Sequence, residues 1–337
     1  MSAQVQAALA ALSAGRKDGL DAAFTALLAG EATPAQTGAL LMGLERAGVD
    51  AEVIAAGARA MRAAMIPVDA GDDLLDVCGT GGDGSHTLNI STAVSFVLAG
   101  CGLKIAKHGN RGMSSKSGAG DVLEALGVNL AVSPAIAARA VREAGVGFLF
   151  AQGHHPAMRH VAAPRRELGF RTVFNLLGPL SNPAGATRQL LGVYAPDRLV
   201  VMAEALRLLG AQAAWVIHGD GGLDEAALSG PTRVAALAGG AIETFEITPE
   251  DAGLARAPLE ALRGGEPADN AQALRALLDG ASGPYRDAVI LNAACALMVA
   301  GAADDLMQAA HHAREAIDRG AARRAHDARV ANTNEPS

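Results

Sequence analysis

The chain has 337 residues, half of them hydrophobic and 3% aromatic, with a formal net charge of −7. That length can bury one large core or two moderate ones, and the acidic balance argues against a general nucleic-acid binder. Cys78, Cys101 and Cys295 have no CxxC or zinc-ligand spacing and read as buried thiols of a reducing cytosol. The start has no basic residues ahead of its apolar patch, unlike a signal peptide. The longest apolar run, 288–303, carries Asn292 and falls short of the ~18 residues of a spanning helix. The expectation is a soluble, cytoplasmic protein with no membrane partner.

Residues 3–65 contain no strand pattern. Thr33-Pro34 marks a helix start, a capping hydroxyl followed by proline in the first turn. Leu40, Leu41, Leu44 and Ala47 then share a face until Gly48. Asp50 caps a further helix striped by Ile54, Ala58, Met61 and Met65, and Pro67 stops it. These stripes read as intramolecular core, defining a small N-terminal α-helical domain over 1–68. From 71 to 330 the pattern alternates. Strands are predicted at 74–77, 103–106, 147–150, 189–194, 213–217 and 242–247. Helices are predicted at 89–99, 134–144, 198–209, 272–278, 284–299 and 304–319. This is the pattern of a large α/β domain with a mainly parallel central sheet covered on both faces. Ligands of such sheets bind at the carboxyl ends of the strands. Segment 164–185 breaks the alternation, and the polar tail 325–337 is expected to fray.

The stretch 76–120 carries most of the chemistry. No acidic residue lies between Asp83 and Asp121, yet Lys104, Lys107, Arg111 and Lys116 all fall there, around two glycine-rich loops. Glycines admit a ligand close to the backbone, and amides at turns and helix starts donate to phosphate oxygens. The stretch reads as a polyanion site. Gly79, Gly81 and Gly84 match the dinucleotide fingerprint, but Asp83 would face the pyrophosphate and the second strand ends in Lys107-His108 instead of an acid. A P-loop is excluded because Ser85 follows Gly84. Further on, Asp224 and Glu225 follow a predicted strand on a glycine turn. Neighbouring side chains diverge, so the pair can serve two metal ions; on its own it reads more readily as a solvated acidic turn, the usual fate of such a pair. His154-His155 lacks carboxylates nearby and reads as pocket wall.

GTGGD at 79–83, NIST at 89–92, KHGNR at 107–111, SSKSG at 114–118, HHPAM at 154–158, RTVFNLLGPLSNP at 171–183 and GLDE at 222–225 occur in that order. Together they resemble the anthranilate phosphoribosyltransferase family, over residues 15–320. The resemblance implies that anthranilate is joined to phosphoribosyl pyrophosphate with loss of pyrophosphate. It also implies a helical domain that rejoins the chain near 164–185 and carries a homodimer contact. Contacts to phosphoribosyl pyrophosphate are implied for Gly79, Gly82, Asp83, Thr87, Asn89, Ile90, Ser91 and Thr92. Lys107, His108, Gly109, Asn110, Arg111, Gly112, Met113, Ser114 and Ser115 would wrap its sugar and phosphates, with the Ala119 amide adding a donor. Ser91, Asp224 and Glu225 would hold two Mg2+ ions. Gly79 and Asn110 would flank anthranilate, and Arg165 would grip its carboxylate with a planar fork. No nucleophile or general base is assigned, since an aromatic amine is already neutral at pH 7. Ala119-Gly120 and Gln152-Gly153 depart from the family's usual residues. Two other readings are a pyrimidine nucleoside phosphorylase, whose KHSTGGVGD-like loop is absent, and a non-catalytic nucleic-acid binder, which would need exterior basic patches.

Overall fold

The structure is a computed structural model that describes residues 1–112 and 116–335. Four helices open the chain: α1 Ala3–Ser13, α2 Leu20–Leu28, α3 Pro34–Ala47 and α4 Ala51–Ala63. The cap at Thr33 forms as the sequence indicates, its hydroxyl accepting from the Gln36 amide at 3.2 Å while Gln36 Oε1 accepts from the Thr33 amide at 3.1 Å. Asp50 accepts from the Val53 amide at 3.0 Å and starts α4. Leu40, Leu41, Leu44, Ile54, Ala58 and Met61 are buried, whereas Ala47, in the last turn of α3, is exposed.

The sheet has seven strands: β1 Leu74–Gly79, β2 Lys104–Gly109, β3 Val146–Phe150, β4 Arg188–Gly192, β5 Ala213–Gly219, β6 Thr232–Ala238 and β7 Ala241–Ile247. Their spatial order is β3-β2-β1-β4-β5-β6-β7, parallel from β3 to β5 and antiparallel beyond. The helices between strands are α5 Ile90–Gly100, α6 Ala119–Ala125, α7 Pro134–Ala144, α8 Ala151–His154, α9 Arg159–Leu168, α10 Phe174–Leu177 and α11 Leu199–Leu208, and after β7 follow α12 Pro267–Leu278, α13 Pro284–Ala300, α14 Leu306–Asp318 and α15 Ala321–Asn334. One face of the sheet packs under α5 and α13, with α14 behind them; Phe96, Ile105, Leu190 and Leu291 share that core. The other face shares a core with α1–α4, in which Phe24, Ile54, Val173, Leu177, Leu191 and Val216 meet. Residues 161–180 therefore lie in the same apolar cluster as the N-terminal helices. Among the described residues no helix is long and apolar enough to cross a membrane.

Two expectations fail. A single strand was expected at 242–247, but β6 and β7 form a hairpin through Gly239-Gly240, both at positive φ (56° and 81°), the geometry a two-residue turn demands. Through Asn334 the tail does not fray: α15 docks on α5 and α7 with Ala322, Ala325, His326 and Arg329 buried. Its buried face is made of alanine and polar residues, so no apolar stripe announces it.

Candidate active site

The chain runs from β1 outward to β3 and then returns to β4 on the other side of β1, so the direction of winding switches between β1 and β4. A crevice at the carboxyl ends of the strands follows from that reversal. It is widened locally between β1 and β2. Their ladder pairs Leu74 with Lys104 and Leu75 with Ile105, and beyond it side chains take the place of backbone partners. Asp76, fully buried, accepts from the His108 amide at 3.0 Å and from Asn182 Nδ2 at 2.8 Å. Asn182 Nδ2 also donates to Ala106 O at 2.7 Å. Lys107 Nζ donates to Val77 O at 2.5 Å and Ser91 Oγ at 3.1 Å. Burial raises the Asp76 carboxyl to about 6, and the Lys107 charge holds it from rising further.

Two loops close on this gap. The glycine-rich loop after β1 turns through Gly81, Gly82 and Gly84, all at positive φ. The loop after β5 brings Asp224 against it, where Asp224 Oδ2 accepts from the Gly81 amide at 2.7 Å. A Cβ on Gly79 would strike the Asp224 carboxylate, and one on Gly192 would strike the Asp224 carbonyl, so both strand ends must be glycine for the loops to meet. Glu225 turns the other way and accepts from the Ser91 amide, at the start of α5, at 3.2 Å. Desolvation in the crevice, with Asp83 alongside, raises Asp224 to about 7; desolvation and ionised Asp224 raise Glu225 to about 8. Among the described residues no three His, Cys, Asp or Glu side chains converge into a complete metal cage. Mg2+ does not need one, because it takes one or two carboxylates together with substrate phosphates. Two carboxylates held partly neutral by burial and by neighbouring acids are a donor set that a divalent cation would relieve, so the residues fit that ion.

Two cavities share this crevice. The first, about 460 Å³, is lined by the glycine-rich loop, the start of α5, Lys107, Arg171, Asp224 and Glu225. The second, about 500 Å³, lies toward the N-terminal helices and is lined by Met61, Gln152, His155, Met158, Arg165 and Phe174. Gly79, His108, Gly109 and Asn110 border both. Arg165 stacks 5.3 Å over the Phe174 ring, and burial lowers its pKa. Among the described residues no carboxylate forms an ion pair with it.

Residues 71–323 match the glycosyl transferase family a/b domain, and residues 16–65 its helical bundle domain. An anthranilate phosphoribosyltransferase of Rhodopseudomonas palustris strain TIE-1 is 55% identical over 300 residues, 89% of either chain. The chain belongs to the anthranilate phosphoribosyltransferase family. The crystal structure of the family member from Thermus thermophilus superposes with a TM-score of 0.92 at 45% identity, covering 99% of this chain and 100% of that one. The Saccharomyces cerevisiae enzyme in complex with PRPP and Mg gives 0.90 at 28% identity, covering 99% and 98%.

Of the residues that the sequence assigned, Gly79, Gly82, Asp83, Thr87, Asn89, Ile90, Ser91, Lys107, His108, Gly109, Asn110, Arg111, Gly112 and Ala119 all line the first cavity. Thr92 is the exception: it is buried behind the first turn of α5 and does not reach the cavity. Arg111 is engaged by Glu124 and Asp121. Met113, Ser114 and Ser115 lie outside the described residues. His155 lines the second cavity, its Nε2 3.2 Å from His108 Nε2, while His154 is buried with Nδ1 on Ile66 O at 3.0 Å. Burial pushes His108 down to about 3 and His155 to about 4, so both rings are neutral.

The sequence reading missed the residues that hold Asn89. This asparagine makes no cap bond to α5. Its Oδ1 accepts from Asn270 Nδ2 on α12 at 2.9 Å, its carbonyl accepts from the Tyr285 hydroxyl on α13 at 3.1 Å, and its Nδ2 donates to Ser117 O at 3.2 Å. The preceding loop is also fixed from that side, through Leu88 N to Leu262 O and Gly264 N to His86 O, each 2.8 Å. Neither Asn270 nor Tyr285 lies in any of the motifs. Arg171 and Asn175 do, within RTVFNLLGPLSNP; Arg171 stacks 4.2 Å from the Tyr194 ring and donates to Gly82 O.

Proposed function

We propose that the chain transfers the phosphoribosyl group of 5-phosphoribosyl 1-pyrophosphate to the amine of anthranilate, in the cytoplasm, as a step of L-tryptophan biosynthesis. The observation that carries this reading is the pair of cavities. A polar one, with amides, Lys107 and two carboxylates, meets a more apolar one holding an arginine without an ion-pair partner among the described residues, across Gly79 and Asn110. The first suits a phosphorylated sugar with its metal, and the second suits a flat aromatic acid. The yeast relative bound to PRPP and Mg supports the assignment of the first.

In this reading the bond from the anomeric carbon to pyrophosphate breaks and the anthranilate nitrogen bonds to that carbon. The amine then loses one proton to solvent, and pyrophosphate leaves with the electron pair. Amides of the glycine-rich loop and of the start of α5, with Lys107, bind the phosphates where negative charge grows. Ser91, Asp224 and Glu225 would hold Mg2+, which when bound supplies charge neutralisation for the leaving group. The two carboxylates point at different elements, one toward Gly81 in the glycine-rich loop and one toward Ser91 at the start of α5, which supports two ions over one. Arg165 orients the anthranilate carboxylate, and neutral His108 and His155 form wall, not base. The domains are taken as 1–68, rejoined by 164–185, and 71–330. A homodimer through the helical domain completes the proposal, and Met42 stands exposed on α3 there. The test is loss of anthranilate fluorescence on mixing the protein with both substrates and Mg2+. No loss, or loss without phosphoribosyl pyrophosphate, would overturn the proposal.

A further inference from the structure

Arg329, on α15, is 1% exposed. Its Nε, Nη1 and Nη2 all lack a hydrogen-bond partner among the described residues, and burial alone lowers its pKa, to about 10, with no carboxylate to offset it. A guanidinium remains charged at neutral pH, and a buried charge without a partner is among the least favourable arrangements in a protein. The side chain borders a small internal cavity of about 10 Å³, walled by Ser95, Phe96, Lys107, Leu123 and Phe148. That space admits about one water-sized particle. Lys107 also lines this cavity and is the only residue it shares with the first, substrate-sized one, but its Nζ is bonded to Val77 O and Ser91 Oγ. The Ser95 hydroxyl adds no proton to an acceptor placed there, because it donates to Thr92 O at 2.6 Å.

Among the described residues that line it, an unpartnered guanidinium and no carboxylate therefore border a space that holds one particle. We propose that this pocket, between α5, β2, β3 and α15, binds a single monatomic anion of chloride size held by the Arg329 guanidinium. A water molecule would accept from the guanidinium and leave its charge uncompensated. Phosphate and sulfate exceed the volume. A chloride ion meets both needs, and it fixes α15 on the sheet through α5 and β3.

The test uses the whole protein and halide salts. Crystals soaked in sodium bromide are expected to show an anomalous peak within hydrogen-bond reach of Arg329. In solution the melting temperature should be higher by roughly 2 °C in sodium chloride than in sodium gluconate of equal ionic strength, as expected of a ligand that binds only the folded state. Arg329→Met, which keeps the aliphatic stem and removes the charge, should lose that difference. If this variant does not fold, the bromide map of the natural protein decides alone. An ordinary water without anomalous signal, a guanidinium found turned to solvent, or an equal halide response in Arg329→Met would each overturn the site.

Discussion

Consider the double substitution Asp224→Asn with Glu225→Gln. Each amide keeps an oxygen to accept from the Gly81 and Ser91 amides, so the fold is expected to survive while turnover is lost. Without ligand or metal, the variant should in fact be more stable than the natural protein at alkaline pH. The folded carboxyls titrate near about 7 and about 8, above the ordinary 3.8 and 4.5. In that window the folded chain binds more protons than the unfolded one, so stability falls as pH rises through it and is fullest below about pH 4. At about 1.36 kcal/mol per pH unit and group, the pair accounts for at most about 5 kcal/mol between about pH 5.5 and 8.5. Water entering the open side of the crevice screens the pair, which leaves about 2–4 kcal/mol as the expected difference. Urea unfolding without metal at the two pH values measures it. The natural protein should lose that much more stability on going to alkaline pH than the variant does, and Mg2+ should restore only the natural protein. Identical pH slopes in both, or near-normal turnover of the variant at ordinary Mg2+, would refute the metal assignment.

Lys107→Met should weaken phosphoribosyl pyrophosphate binding about tenfold or more, since a charge-assisted bond contributes ~1.5–3 kcal/mol. Binding of anthranilate alone, measured by calorimetry, should change little, and equal losses would dissolve the division of the site. Arg165→Ala should raise the KM for anthranilate and leave that for phosphoribosyl pyrophosphate nearly unchanged, with Arg165→Lys rescuing only in part. Arg166→Ala is the control, because Arg166 is exposed while Arg165 is half-buried against Phe174; a crippled Arg166 variant beside a normal Arg165 variant would shift the register by one. Asn270→Ala should raise the KM for phosphoribosyl pyrophosphate by up to about tenfold, the worth of one or two neutral hydrogen bonds. No change in steady-state kinetics would mean that Asn89 is held without Asn270.

What the chain's order determined by itself is local. The caps at Thr33 and Asp50, the apolar runs of β1 to β5 and the glycine loops each depend on residues within a few positions, so periodicity and turn chemistry expose them. The motifs also named most of the crevice, because a phosphate cradle is built from consecutive amides of one loop. The hairpin of β6 and β7 was within reach too, through Gly239-Gly240 between two apolar runs. Other features became visible only when distant segments met. Lys107 is held by Val77 O and Ser91, and Asp76 bridges β1 to β2 and Asn182. Asn89 is fixed from α12 and α13, 181 and 196 residues further along. Arg329 is buried beneath α15 although its sequence neighbours are mostly polar or alanine. A charge or an amide carries no sign of its burial in the sequence, since burial is set by which helix covers it. The carboxyls of Asp224 and Glu225 show the same reason: adjacent acids are solvated in an isolated turn, and only the closure of two loops over glycine strand ends brings them together out of water.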